Sequence, residues 1–297
     1  LVAFGIQAGM QFVDQLQNTV HSQEMGYIPY GCTQRLFSVY WGGVFVIMQK
    51  YLYFYIPLLT MGLVSKDISS GAIRLLYSSP ITNFQIIVGK FFSMMIYGLL
   101  MIGLLFLFVL CSWGFVKDFD LPLVLTGLLG LYLLICAYAA IGVFMSSLTS
   151  YPIVAAIGTL AVLMILNMIG GWWQEYDLVR DVTYWLAISG RCDEFVRGLI
   201  CSEDLLYFII VIVLFLALTI IRLNAVRQKV RFSITLSKNL GVIFLSCFLG
   251  YLSSLPSLKV YSDVTATKQN TLTPNSQEIV AKLDGGVTIT TYINVLE

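Results

Sequence analysis

Gly89-Lys90 is the pair in this chain that comes nearest to phosphate chemistry. A phosphate-cradling loop needs a second Gly five positions earlier, and a Ser or Thr directly after the Lys to hold magnesium. Those positions are Phe84 and Phe91. Any nucleotide chemistry would therefore have to be on another chain, and no cofactor is expected here. His21 is the only histidine. A Ser-His-Asp triad would have to recruit it from a polar stretch with no recognisable nucleophile turn, so no enzymatic activity is expected. Cys32, Cys111, Cys136 and Cys247 show no metal-ligand spacing, and three of them lie in or beside apolar runs, where Cys acts as a small hydrophobe. Cys192 and Cys201 are nine positions apart; a disulfide and two unpaired thiols are both open to them.

The surroundings of these residues are those of a membrane protein. Of 297 residues, 58% are hydrophobic and 11% charged, with a mean hydropathy of +0.85, whereas soluble domains have about a quarter of their residues charged. With Lys+Arg 17 against Asp+Glu 16 there is no basic excess for nucleic acid, and none is expected as a partner. The chain begins at Leu1 and stops at Glu297 after a strand-like run, so a fragment is expected. Leu1 to Met10 reads as the outer end of a truncated first span, and Gln11 to Tyr40 as a loop.

Trp41 to Val64 is long enough to span a bilayer. Lys50 interrupts it and is expected to snorkel to the outer surface, and Tyr51, Tyr53, Phe54 and Tyr55 are expected to pack or face lipid rather than wall a pathway. Phe91–Ser112, Pro122–Met145, Pro152–Gly170, Leu205–Ile221 and Leu240–Leu255 contain no Asp, Glu, Lys or Arg, which argues against an ion-driven carrier. Asn167 is their most polar residue and suits a helix-to-helix hydrogen bond. Gly5 and Gly9, and Gly142 and Ser146, have the small-residue spacing that permits close helix packing.

Ser65 to Lys90 is a polar-to-amphipathic insert between two spans, a lever-like segment with Lys66, Arg74 and Lys90 against Asp67. Lys and Arg are retained on the inner side of a membrane, which places it in the cytoplasm. Alternation from there puts Gly171–Asp204 outside, with three Arg against seven acids, and Arg222–Lys238 inside, with five cations and no anion. Trp41, Trp113, Trp172, Trp173 and Trp185 then all fall near the outer face, where indole prefers the headgroup layer. Within the lever, Ile68, Ala72, Leu75 and Leu76 share one side of a helix and Arg74 lies on another. Pro80 ends it, and Thr82 with Gln85 forms a capping box that should start a new helix at Asn83. Near the C-terminus, Thr273-Pro274 should open a short helix, and Val287–Ile293 alternates as a strand does.

Asp67, Gly71-Ala72, Leu75-Leu76, Ser79-Pro80 and Gly89-Lys90 resemble the signature of type-2 ABC transporter permeases, where Glu is commoner at Asp67 and Thr at Ala72. The resemblance implies an all-α polytopic bundle of six spans with the first truncated. It also implies a dimer with a second permease copy or homologue, embedded in lipid. Residues 65–90 would dock on a separate ATPase subunit through Asp67, Gly71, Arg74, Leu75, Leu76, Ser79, Pro80, Gly89 and Lys90. The outer segment with Phe195, Gly198, Asp204 and Tyr207 is similar to the family's re-entrant region. Further, the order of elements resembles gliding-motility permeases of Bacteroidetes (GldF-like) fused to a GldG-like part. That implies a permease domain over 1–223 with an outer segment at 171–204, a basic linker at 224–238, an additional span at 239–258, and the start of an extracytoplasmic α/β domain at 259–297. The expected function is a permease subunit in the bacterial inner membrane, moving or extracting a substrate with ATP hydrolysed by its partner. The alternative is a membrane anchor for a cell-envelope machine that transports nothing.

Overall fold

Apolar runs of this length satisfy their own backbone in a bilayer only as helices, and most of the described residues are helical. The structure is a computed structural model. It describes residues 2–24, 32–38, 43–116, 119–169, 183, 186–228, 231–255, 258–266, 268 and 270–282. In chain order these give α1 (Val2–Glu24), α2 (Cys32–Phe37), α3 (Val44–Thr60), α4 (Ser65–Ser69), α5 (Ala72–Ser78), α6 (Asn83–Phe115), α7 (Leu121–Leu148) and α8 (Pro152–Met168). Then follow α9 (Ser189–Val196), β1 (Leu199–Cys201), α10 (Ser202–Gln228), α11 (Phe232–Ser253), β2 (Tyr261–Asp263) and α12 (Pro274–Ala281).

Among the described residues five helical segments are long and apolar enough to cross a membrane: Val44–Ser69, Asn83–Gly114, and α7, α10 and α11; α8 is a shorter apolar helix. The all-α polytopic bundle is therefore present. α7 is its centre, with 72% of its span buried, whereas α11 has only 6% buried and rests at the periphery against α10. The lever (α4 and α5) lies at one end of the bundle, with the ends of α3, α7 and α10. The far end carries α9, β1, β2 and the start of α10.

One expectation needs correction. Residues 11–24 are not loop: α1 runs on to Glu24, because polarity marks exposure and nothing between Met10 and Glu24 is a Gly or Pro that would end a helix. Phe12 still packs on Phe37 and Phe108. The Gly5/Gly9 spacing does bring helices together: a Cβ on Gly5 would stand 3.0 Å from Leu104 and one on Gly9 3.6 Å from Phe108. In the basic stretch 224–238 the described residues are mostly helical, since α10 continues through Gln228 and α11 begins at Phe232. Of 171–204, residues 171–182, 184 and 185 lie outside the described residues. So do Trp41, Trp172, Trp173, Trp185 and the expected strand Val287–Ile293. Thr273 caps α12 by accepting from the Ser276 N–H, with Pro274 opening the helix.

Candidate functional site

The lever begins where α3 stops. Thr60 returns its hydroxyl to the Ile56 carbonyl, and the chain turns at Met61–Val64. The backbone groups freed at this break are taken up by one side chain of α7. The Ser146 hydroxyl accepts from the N–H groups of Val64 and Ser65, both at 3.0 Å, and donates to the Met61 carbonyl at 2.9 Å. One turn earlier Gly142 gives α3 room, since a Cβ there would collide with the buried Thr60 side chain. The Gly142/Ser146 spacing is thus a close packing point that also clamps the root of the lever.

The lever is two short helices, not the single one expected. Gly71 adopts φ +75° between α4 and α5, a left-handed conformation that L side chains rarely take, and it turns the chain in the middle of the signature. Ser79 is extended, Pro80 follows, and Thr82 and Gln85 form the expected capping box that starts α6 at Asn83. Two turns into α6, Lys90 reaches back to α4. Its ammonium pairs with the Asp67 carboxylate and donates to the Leu63 carbonyl. Two signature residues 23 positions apart thereby touch. Gly89 has open space around it.

A second grip comes from α10, which the sequence reading did not assign. Arg227 donates to the carbonyls of Ile81 (3.2 Å) and Tyr77 (3.3 Å) and lies 5.1 Å from the centre of the Tyr77 ring. Asn83 donates to Asn224 at 2.7 Å. Only the basic character of Arg227 was legible, as a marker of sidedness. Between the grips no residue of α5 is buried, and Leu75 is 75% exposed beside the exposed Arg74. A hollow of about 700 Å³ lies here, lined by Asp67, Ala72, Leu75, Leu76, Ser79 and Lys90 among others. Its walls hold no nucleophile–base pair; the arrangement offers apolar contact beside fixed charge.

The far end is built differently. Arg191 of α9 is buried and binds Asp204 (2.6 Å) and Glu203 (3.0 Å), with its guanidinium 5.1 Å from the Tyr207 ring centre. Burial opposes the Arg191 charge, but the two carboxylates outweigh it and raise its pKa. Lys259 joins Glu203 at 2.7 Å, and that hydrogen bond raises its pKa above the ordinary lysine value. Tyr207 donates to the Leu186 carbonyl. Cys192 and Cys201 are both free thiols, so the disulfide is not formed. Cys192 is fully buried in the main core, while Cys201 ends β1 beside the Arg191 cluster. Burial raises both thiols, Cys201 to about 12 with help from nearby carboxylates.

Lys50 is exposed and lines a hollow of about 490 Å³ with Gln49, Tyr53, Phe54, Tyr138, Asn167 and Asp193. Burial raises Asp193, against the pull of Arg197, a hydrogen bond from Gln49 and the Lys50 charge. Tyr51 and Tyr55 pack against the core, as does Tyr53, and Asn167 donates to the Leu163 carbonyl at 2.9 Å, a bond within its own helix α8 where one between helices was expected.

With a helical bundle and a lever pinned across it, the chain has the form of a membrane permease. The family model described as ABC-2 family transporter protein matches residues 1–174, and the chain belongs to that family: it is a multi-pass membrane component of an ABC transporter, not itself catalytic. No curated protein and no solved structure matches.

Proposed function

We propose that residues 65–90 are the surface on which a separate ATPase subunit docks, and that the chain moves or extracts a substrate with the energy of that partner's ATP. The observation that carries this reading is the contrast within the lever: both roots are bonded to spans, at Ser146 and at Arg227, while its crown stays bare. An exposed Leu beside an exposed Arg on a fixed short helix suits a protein contact, and displacement of a crown so rooted reaches α3, α6 and α10 together. Arg74, Leu75, Leu76 and Ser79 are the contact residues in this reading; Asp67, Lys90 and Gly71 shape the support.

The two basic stretches meet, since Arg227 touches Tyr77 of the lever. Their common end is cytoplasmic by the positive-inside rule, which puts residues 259–297 outside in a bacterial inner membrane. The permease works as a dimer with a second copy or homologue. The sequence of α10, α11 and the β2–α12 region supports the gliding-motility fusion type, GldF-like and then GldG-like.

Arg74→Glu, and separately Gly71→Pro, should release the ATPase from the purified complex and abolish nucleotide-dependent function while the permease still inserts. Unchanged co-purification and ATPase activity in both variants would falsify the docking site. Labelling of Ser79→Cys by an impermeant reagent in intact cells would overturn the orientation.

A further inference from the structure

The segment after α11 has the polarity of a linker, yet its backbone is bonded to the far end of the bundle over residues 258–266. β2 pairs antiparallel with β1, Leu199 opposite Asp263, Ile200 opposite Ser262 and Cys201 opposite Tyr261. The ladder extends past both ends: Val264 N–H donates to the Gly198 carbonyl (3.1 Å) and Ser202 N–H to the Val260 carbonyl (3.0 Å). Gly198 takes φ +82°, and a Cβ there would stand 2.6 Å from Thr265, so the turn into β1 is shaped around the segment. Ser202 closes one end, its hydroxyl donating to the Leu258 carbonyl and accepting from Val260 N–H. Asp120, the N-cap of α7, uses one carboxylate oxygen for Leu123 N–H and the other for Ala266 N–H at 2.9 Å. Asn270 donates to the Arg197 carbonyl. Beneath the ladder Lys259 completes the cluster of Glu203, Asp204 and Arg191.

We propose that β1 and the elbow between α9 and α10 form a receptor for the chain's own C-terminal part, so that residues 258–266 are a docked element of the permease and the region beyond moves with α10. A flexible tether to a passenger domain would leave its backbone groups to water; here N–H groups of 260, 264 and 266 have partners on the permease. Strand addition is the same means by which sheet edges capture extended peptides. Glu203 and Asp204, taken without Lys259 and Arg191, would be two carboxylates side by side. The proposal deepens the permease reading, on which it rests only for the source of the movement.

The test needs no ATPase. Cys201 and Tyr261 face each other at a non-hydrogen-bonded position of the ladder, where Cα atoms approach to about 4.5 Å, within disulfide range. In the full chain in native membranes, Tyr261→Cys is combined with Cys247→Ser and a protease site at 229–230. Mild oxidation should hold the two cleaved halves together on a non-reducing gel, and should not in the same protein bearing Cys201→Ser. Lys259→Glu should slow this cross-linking roughly fivefold or more, the effect of about 1 kcal/mol, and Lys259→Arg should leave it within about twofold. No cross-link above the Cys201→Ser control overturns the docking. Cross-linking at an equal rate in Lys259→Glu and Lys259→Arg overturns the role of the charge cluster. Either result stands whether or not an ATPase binds the lever, so this failure is separable from failure of the coupling site.

Discussion

The two ends of the bundle solve opposite problems. At the lever end, one serine hydroxyl, one partly exposed ion pair and an arginine on two carbonyls hold a pair of short helices whose outer faces stay bare. At the far end a buried arginine, two carboxylates, a lysine and a strand ladder close the surface. Buried charge gives one arrangement strongly preferred over others, because a member left unpaired is costly; exposed ion pairs are cheap to rearrange. One end is therefore left bare, as the proposed docking of an ATPase requires, and the other has already taken up a segment of its own chain.

Removing the arginine should break this contrast most severely. Arg191→Met leaves Asp204 and Glu203 buried beside each other and should cost about 3–5 kcal/mol, read as a large fall in the melting temperature of the detergent-solubilised protein. Gly142→Ala, by forcing α7 away from Thr60, should cost about 1–3 kcal/mol; Gly89→Ala, with open space around it, should be close to neutral in the same assay. Gly71→Ala imposes a left-handed conformation on a residue with a Cβ at about 1–2 kcal/mol. Its effect should show more in ATPase co-purification than in melting temperature, since that residue lies between the grips. Asp67→Asn should cost little, no more than about 1 kcal/mol. A loss as large as that of Arg191→Met would mean that the two ends are held alike.

The sequence reveals the spans and the capping box because both are local: an apolar run and Thr82-x-x-Gln85 each declare themselves within a few residues. The lever's motif was legible as spacing, and the Asp67–Lys90 contact explains two of its positions physically. Ser146 and Arg227 were not legible as grips. Each meets the lever across more than 80 positions of chain, and a serine in a span or an arginine at its end has several bland uses. Gly71 was visible as a motif residue, but helix periodicity across 68–76 hid the break it makes. Residues 11–24 were misread because polarity in a membrane protein resembles loop composition, while the helix needs only continuity. At the far end the acids of 171–204 were counted for sidedness, and only the fold shows that two of them share one arginine.

α10 is bonded at both of its ends, to Tyr77, Ile81 and Asn83 at one and to Arg191, Lys259 and the 258–260 backbone at the other. A helix fastened in this way has no freedom to slide along its axis, because a shift of one turn would break both sets of bonds. It remains free to tilt. Its 27 residues form a rod about 40 Å long, so a rotation of about 10° about one end would sweep the other through about 7 Å. The stroke available to this protein is thus a swing, not a piston's travel, and its size is set by helix length.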